Sequence, residues 1–137
     1  MRRLLLAVLL IALLLGSDSQ QEFDHTTSGP LEGMWRLIYV EIKGFTVDLS
    51  SSETVLTLSS RTFTQKFGDG DLRRGSYRID PARKPSYLDW MPSNEEMLPM
   101  IYQIDGDRLT MAYKNSERPR DFKGDELVIV IAYKRVR

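Results

Sequence analysis

Leu98-Pro99-Met100-Ile101-Tyr102-Gln103-Ile104-Asp105-Gly106-Asp107-Arg108-Leu109-Thr110-Met111-Ala112-Tyr113 is the stretch that decides the fold. Leu98, Met100, Tyr102 and Ile104 recur at every second position, as do Leu109, Met111 and Tyr113, and a period of two puts each set on one face of a strand. Between the runs stands Asp105-Gly106-Asp107, where glycine tolerates the positive φ of a tight turn. The stretch is an antiparallel hairpin with one apolar face.

Working outward, the chain keeps the same character. Short runs rich in Val, Ile, Thr, Tyr and Phe alternate with Gly, Pro and Asp at hairpin spacing. Strands are expected over residues 33–42, 45–47, 54–59, 62–67, 73–79, 86–91, 98–104, 108–113 and 126–135. Lys43-Gly44 marks a second tight turn, and residues 48–53 have room for one helical turn. The last strand is apolar at every position from Leu127 to Ala132, which fits a strand covered on both faces or closing a barrel. A meander of eight to ten short strands tends to close on itself, because closure removes aggregation-prone edges. The expected fold is all-β, an up-and-down antiparallel barrel, with an open sandwich as the alternative.

The N-terminus has a different composition. Met1, Arg2 and Arg3 precede an unbroken apolar run from Leu4 to Leu15, followed by Gly16, Ser17, Asp18 and Ser19. This is the layout of a secretory signal peptide. Twelve helical residues rise roughly 18 Å, short of the roughly 30 Å hydrocarbon core of a bilayer. Cleavage is placed after Ser19, with Ser17 and Gly16 as alternatives, so residues 1–19 are read as a signal peptide. Residues 20–30 are polar and carry no apolar period, which reads as a disordered lead-in, and residues 31–137 form the barrel domain. The protein is expected to be periplasmic or extracellular, with no transmembrane span once the signal is removed.

Export and composition bound the chemistry. The chain has no cysteine, so disulfides, thiol catalysis, cysteine-ligated zinc and a bacterial lipoprotein anchor are all excluded. Removing Arg2 and Arg3 from 19 basic residues and Asp18 from 19 acidic ones leaves 17 against 18, a formal charge of −1. Such balance gives no long-range pull toward nucleic acid. His25 is the only histidine and lies in the lead-in, which excludes a histidine-based triad or multi-histidine metal site. Asp69-Gly70-Asp71 and Asp105-Gly106-Asp107 lack the run and distal Glu of a calcium loop and are read as turns. No phosphate loop, nucleophile elbow or dinucleotide fingerprint is present. No catalytic residue, metal or cofactor is assigned.

Leu31-Glu32-Gly33-Met34-Trp35 opens the first strand with a Gly-x-Trp. In order there follow Lys43-Gly44, Gly75-x-Tyr77-x-Ile79-Asp80-Pro81 with Lys84-Pro85, Leu88-Asp89, Ile101-Tyr102-x-Ile104-Asp105-Gly106-Asp107-x-Leu109 and Arg118-Pro119-x-Asp121-Phe122. This series, spanning about residues 31–135, resembles an uncharacterised family of secreted lipocalin-like domains abundant in planctomycete bacteria. What the resemblance implies is a lipocalin-like barrel in an exported setting, with no substrate, cofactor or catalytic residue to carry over.

Two sets of residues are candidates for function. Tyr39, Tyr77, Tyr87, Trp90, Tyr102 and Tyr113 bring amphipathic rings to strand positions, where they either line a ligand cavity or pack as ordinary core. Trp35 and Arg135 fall near the start of the first strand and the end of the last, and a closed barrel would bring them together as a cation-π pair of structural role. Arg73, Arg74, Arg83, Lys84, Arg118, Arg120 and Lys123 offer a basic surface for an acidic sugar or lipid headgroup, but the aspartates interleaved among them favour mixed solvated surface. The leading functional expectation is a monomer that binds a small apolar or amphipathic molecule without catalysis. A filled barrel acting as a structural or protein-interaction module of the envelope is the alternative, and a hydrolase the third.

Overall fold

A computed structural model describes residues 29–115, 117–123 and 127–137. The expected signal segment and nearly all of the lead-in lie outside these residues. The described chain contains nine strands: β1 (Gly33–Ile42), β2 (Phe45–Asp48), β3 (Val55–Leu58), β4 (Thr62–Lys66), β5 (Leu72–Asp80), β6 (Ser86–Pro92), β7 (Leu98–Asp105), β8 (Arg108–Tyr113) and β9 (Ile129–Arg135). Each of β3 to β9 pairs antiparallel with its neighbour in sequence. The sheet closes where β1 pairs with β9, from Trp35 opposite Arg135 to Ile42 opposite Ile129. β1 together with β3 to β9 therefore forms a closed eight-stranded antiparallel barrel of lipocalin-like type. The short β2 folds back on the second half of β1, while β3 pairs with the first half.

The inward positions follow from the two-residue period. Trp35, Leu37, Leu56, Leu58, Phe63, Tyr77, Ile79, Leu88, Trp90, Met100, Tyr102, Leu109, Met111 and Tyr133 are buried and form one contiguous cluster with Leu31. Their burial follows from packing against one another inside the barrel. Between Leu37 and Tyr39 the register of β1 against β9 slips by one residue, a bulge that rephases the strand. Before it Trp35 and Leu37 face inward, and after it Val40 packs against the same core.

A second, smaller cluster covers part of the outer wall. Ile101, Ala112, Val128 and Val130 are buried there, with Tyr87 and Phe122 packed on them. The connection from β8 to β9 lies over this face, and Arg118 pins it. The Arg118 guanidinium donates to the carbonyls of Met100 (2.6 Å) and Leu88 (3.3 Å) and to the Asp89 carboxylate (2.6 Å). It also lies 4.2 Å from the centroid of the Tyr87 ring. The uniformly apolar last strand is thus explained: Ile131 and Tyr133 serve the interior, while Val130 serves the outer cluster.

Residues 48–53 do not form the helical turn expected of them. Asp48 ends β2, the Ser50 N–H donates to the Asp48 carboxylate, and the Ser52 N–H donates to the Leu49 carbonyl, which makes a pair of tight turns instead. Asp48 and Ser50 satisfy each other locally, the usual way aspartate and serine compete with helix. Among the described residues no helix is long and apolar enough to cross a membrane.

Candidate functional site

The two ends of the barrel differ. At one end the β3–β4, β5–β6 and β7–β8 turns gather with the start of β1 and the end of β9. Trp35 is fully buried there, and its indole N–H donates to the Leu31 carbonyl at 2.9 Å. The Arg135 guanidinium lies 4.1 Å from the Trp35 ring centroid and donates to the carbonyls of Glu32 and Pro30, both at 3.0 Å. Gly33 makes this possible, for it adopts a φ of +131° and a Cβ on it would lie 2.9 Å from an Arg135 guanidinium nitrogen. This end is sealed.

The opposite end is ringed by the other turns and has an apolar lip. Ile42 pairs with Phe45 and Val40 with Val47. Residues opposite one another share a face, so all four stand on the side on which Val40 meets the core. Phe45 is nevertheless 76% exposed, Val47 46% and Ile42 40%. Ile129 and Ile131, partners of Ile42 and Val40 across the β1–β9 seam, extend the same surface from β9. Three exposed apolar side chains sharing one concave face mark a contact surface, whereas Met34, Leu72, Met97 and Leu127, exposed singly elsewhere among the described residues, need no explanation.

β4 and β5 border the same mouth. By the period set by Phe63 and Tyr77, Gln65 and its partner Arg73 face inward near their upper ends. The Arg73 guanidinium rests 5.4 Å from the Phe67 ring centroid. Below them Phe63 and Trp90 stack with centroids 3.7 Å apart, under the open end. Gly75 leaves room for that stack, since a Cβ there would collide with the Phe63 ring and the Met91 carbonyl.

The six aromatic candidates separate between the two faces of the sheet. Tyr77, Trp90 and Tyr102 are buried in the interior cluster and Tyr113 packs against it, partly exposed near the open end. The Tyr77 hydroxyl donates to the Ser59 carbonyl, and burial pushes its pKa up to about 12, with Glu32 and Tyr102 adding to the shift. Burial likewise raises Tyr102 and Tyr133. Tyr39 and Tyr87 do not line the interior. The β1 bulge turns Tyr39 outward, 6.0 Å from the Arg108 guanidinium, and Tyr87 alternates with the inward Leu88 to lie on the outer cluster beneath Arg118.

On the outer wall, Thr62, Thr64, Arg74, Ser76, Met91 and Ser93 border an open depression of about 600 Å³. It is broad and formed by the curvature of β4 to β6. Asp69 stands in the β4–β5 turn as expected, its carboxylate accepting from the Asp71 N–H at 2.8 Å, while Asp105 ends β7 and Gly106 and Asp107 form the turn to β8. Burial pushes the Asp89 carboxyl up, but hydrogen bonds and charge from Arg118 and Arg78 outweigh it and hold the group below the usual carboxylate value. No protein-family model, curated protein or solved structure matches this chain.

Sequence reasoning passed over Ile42, Phe45, Val47 and Gln65, and assigned Arg73 to a mixed surface. The available signal was alternation: Phe45 and Val47 keep the phase of Ile42 through the two-residue Lys43-Gly44 turn.

Proposed function

We propose that this domain is a non-catalytic binding protein which holds a small apolar or amphipathic molecule at the open end of its barrel. The observation that carries the reading is the exposure of Ile42, Phe45 and Val47 on the concave side of the sheet. The buried side chains below favour a guest lying across the mouth over one sunk into the barrel. Packed barrels of eight strands accommodate either their own side chains or one small ligand, and here the two uses divide by depth. The non-catalytic part of the reading rests on a chain with no cysteine and one histidine. The exported setting rests on the signal-like residues 1–19, and the family resemblance on the motifs between Leu31 and Arg135.

The test is titration with the neutral fluorescent dye N-phenyl-1-naphthylamine. Saturable binding that Phe45→Ser weakens strongly is expected. Absence of saturable binding, or binding that Phe45→Ser leaves unchanged, overturns the proposal.

The packed interior also supports a second reading, in which the same lip receives a protein chain and the domain serves as an interaction module of the envelope. Crosslinking from position 45 in cells separates the two, since a reproducible protein adduct there favours the module.

A further inference from the structure

The inward face of the barrel carries two charges among the described strand residues, Arg135 and Arg73. By register and alternation the other inward positions are apolar or uncharged: Val40 and Ile42 on β1, Gln65 on β4, Gly75 and Tyr77 on β5, and their counterparts to β9. Arg135 is engaged at the sealed end with the Trp35 ring and two carbonyls. Arg73 is different. It stands at the open end, is exposed, and has the Phe67 ring as its contact with no carboxylate among the described residues.

The nearest acids in sequence, Asp69 and Asp71, accept the Asp71 N–H and the Leu72 N–H (3.1 Å) within the β4–β5 turn, and neither forms an ion pair with Arg73. In a ring of eight strands, β5 stands opposite the seam of β1 and β9. The apolar lip and the guanidinium therefore border the same mouth, with β2 lying on the β3 side of β1, toward β5.

We infer that the ligand is a single-chain amphiphile with an anionic head, its tail lying on Ile42, Phe45, Val47 and Ile129 and its head meeting Arg73. A guanidinium offers a carboxylate two parallel N–H donors, which a neutral head cannot match. Gln65, opposite Arg73 in the ladder, adds an amide donor on the same face. A membrane surface is the less suitable occupant. Around this end the exposed acids Glu53, Asp69, Asp71, Glu95 and Glu96 are offset by the bases Lys43, Lys66, Arg73, Lys114 and Lys123, so there is no single-signed basic field to recruit an anionic bilayer. A single amphiphile entering the mouth meets those charges through water, where salt screens them beyond about 8 to 10 Å.

This inference rests on the proposed binding function, and the test keeps their failures apart. Dodecanoate and 1-dodecanol, which share a chain length, compete for bound N-phenyl-1-naphthylamine on the wild-type protein and on Arg73→Gln, with thermal unfolding confirming that the variant folds. Dodecanoate is expected to displace the dye at a concentration at least about tenfold lower than 1-dodecanol, in line with a charge-assisted hydrogen bond. Arg73→Gln removes that advantage and leaves 1-dodecanol unchanged, and Arg73→Lys restores part of it.

Equal potency of the two competitors, or a preference that survives Arg73→Gln, overturns the inference while dye binding leaves the proposed function standing. Failure of the dye itself to bind overturns both. Co-sedimentation with phosphatidylglycerol vesicles, without displacement of the dye by dodecanoate, overturns the single-molecule occupant in favour of a membrane surface.

Discussion

Replacing Trp35 by alanine tests the closure of the barrel most severely. The side chain is fully buried, and a tryptophan buries roughly 150 to 250 Å². At about 25 cal/mol per Å² that is roughly 4 to 6 kcal/mol of transfer free energy, an upper bound, since alanine keeps a little of it and an unfolded chain hides some. The substitution also breaks the N–H bond to the Leu31 carbonyl, about 1 kcal/mol, and the contact with Arg135, which at a partly exposed site adds about 0.5 kcal/mol. Because neighbours relax into part of the cavity, the expected loss is about 3 to 5 kcal/mol. Urea unfolding followed by far-ultraviolet circular dichroism reads it. With a slope of about 1 to 2 kcal/mol per M, the midpoint falls by about 1.5 to 5 M. Such a loss is a large share of the stability of a small domain, so Trp35→Phe provides a milder companion. It keeps most of the apolar area, loses the indole N–H and is expected to cost about 1 to 2 kcal/mol. A cost below about 1 kcal/mol for Trp35→Ala would refute the view that this residue joins the first and last strands.

Three other perturbations have equally definite outcomes. Arg118→Ala removes the pin of the β8–β9 connection and is expected to cost about 1 to 3 kcal/mol and to speed proteolysis around residues 114–123, read by limited digestion and mass spectrometry; unchanged digestion there would count against the pin. The Asp89 carboxyl is held below its ordinary value, so its share of stability is present above about pH 4, the unfolded value, and disappears as pH falls through the lower folded one. Asp89→Asn should therefore flatten the acid limb of the stability curve, and an unaltered acid limb contradicts it. Tyr77, Tyr102 and Tyr133 are raised, so each favours the folded state below about pH 10 and that contribution is lost as pH rises through the folded values, about 12 for Tyr77; tyrosinate absorbance should rise in two steps, the later one coinciding with unfolding, and a single step near pH 10 would show these hydroxyls to be solvated.

What could be read in the sequence and what could not divide along a physical line. Alternation over Leu98 to Tyr113 identifies two strands and their inward faces because side-chain direction in a strand is a local property. The same rule places Tyr87 and Trp90 on opposite faces, so the outward position of Tyr87 was legible in the spacing. Tyr39 was not legible. Its direction depends on a bulge set by how β1 meets β9, a partner some ninety residues away in sequence. The cover over Val130 was hidden for a similar reason, since Arg118 finds Leu88, Asp89 and Met100 only after β6 and β7 have paired. The open-end lip lies between these cases. Phe45 and Val47 alternate visibly, but their exposure arises because β2 pairs with the far half of β1 and leaves the near half to β3.

Binding at the open end is the central claim, and backbone amide shifts of the labelled protein during titration with dodecanoate test it most directly. Saturable shifts are expected at Ile42, Phe45, Val47, Arg73 and Ile129, with Trp35, Leu58 and Leu109 at the sealed end unmoved. Shifts confined to Thr62, Thr64, Ser76 and Met91 on the outer wall, or no saturable shifts at the lip, would contradict it.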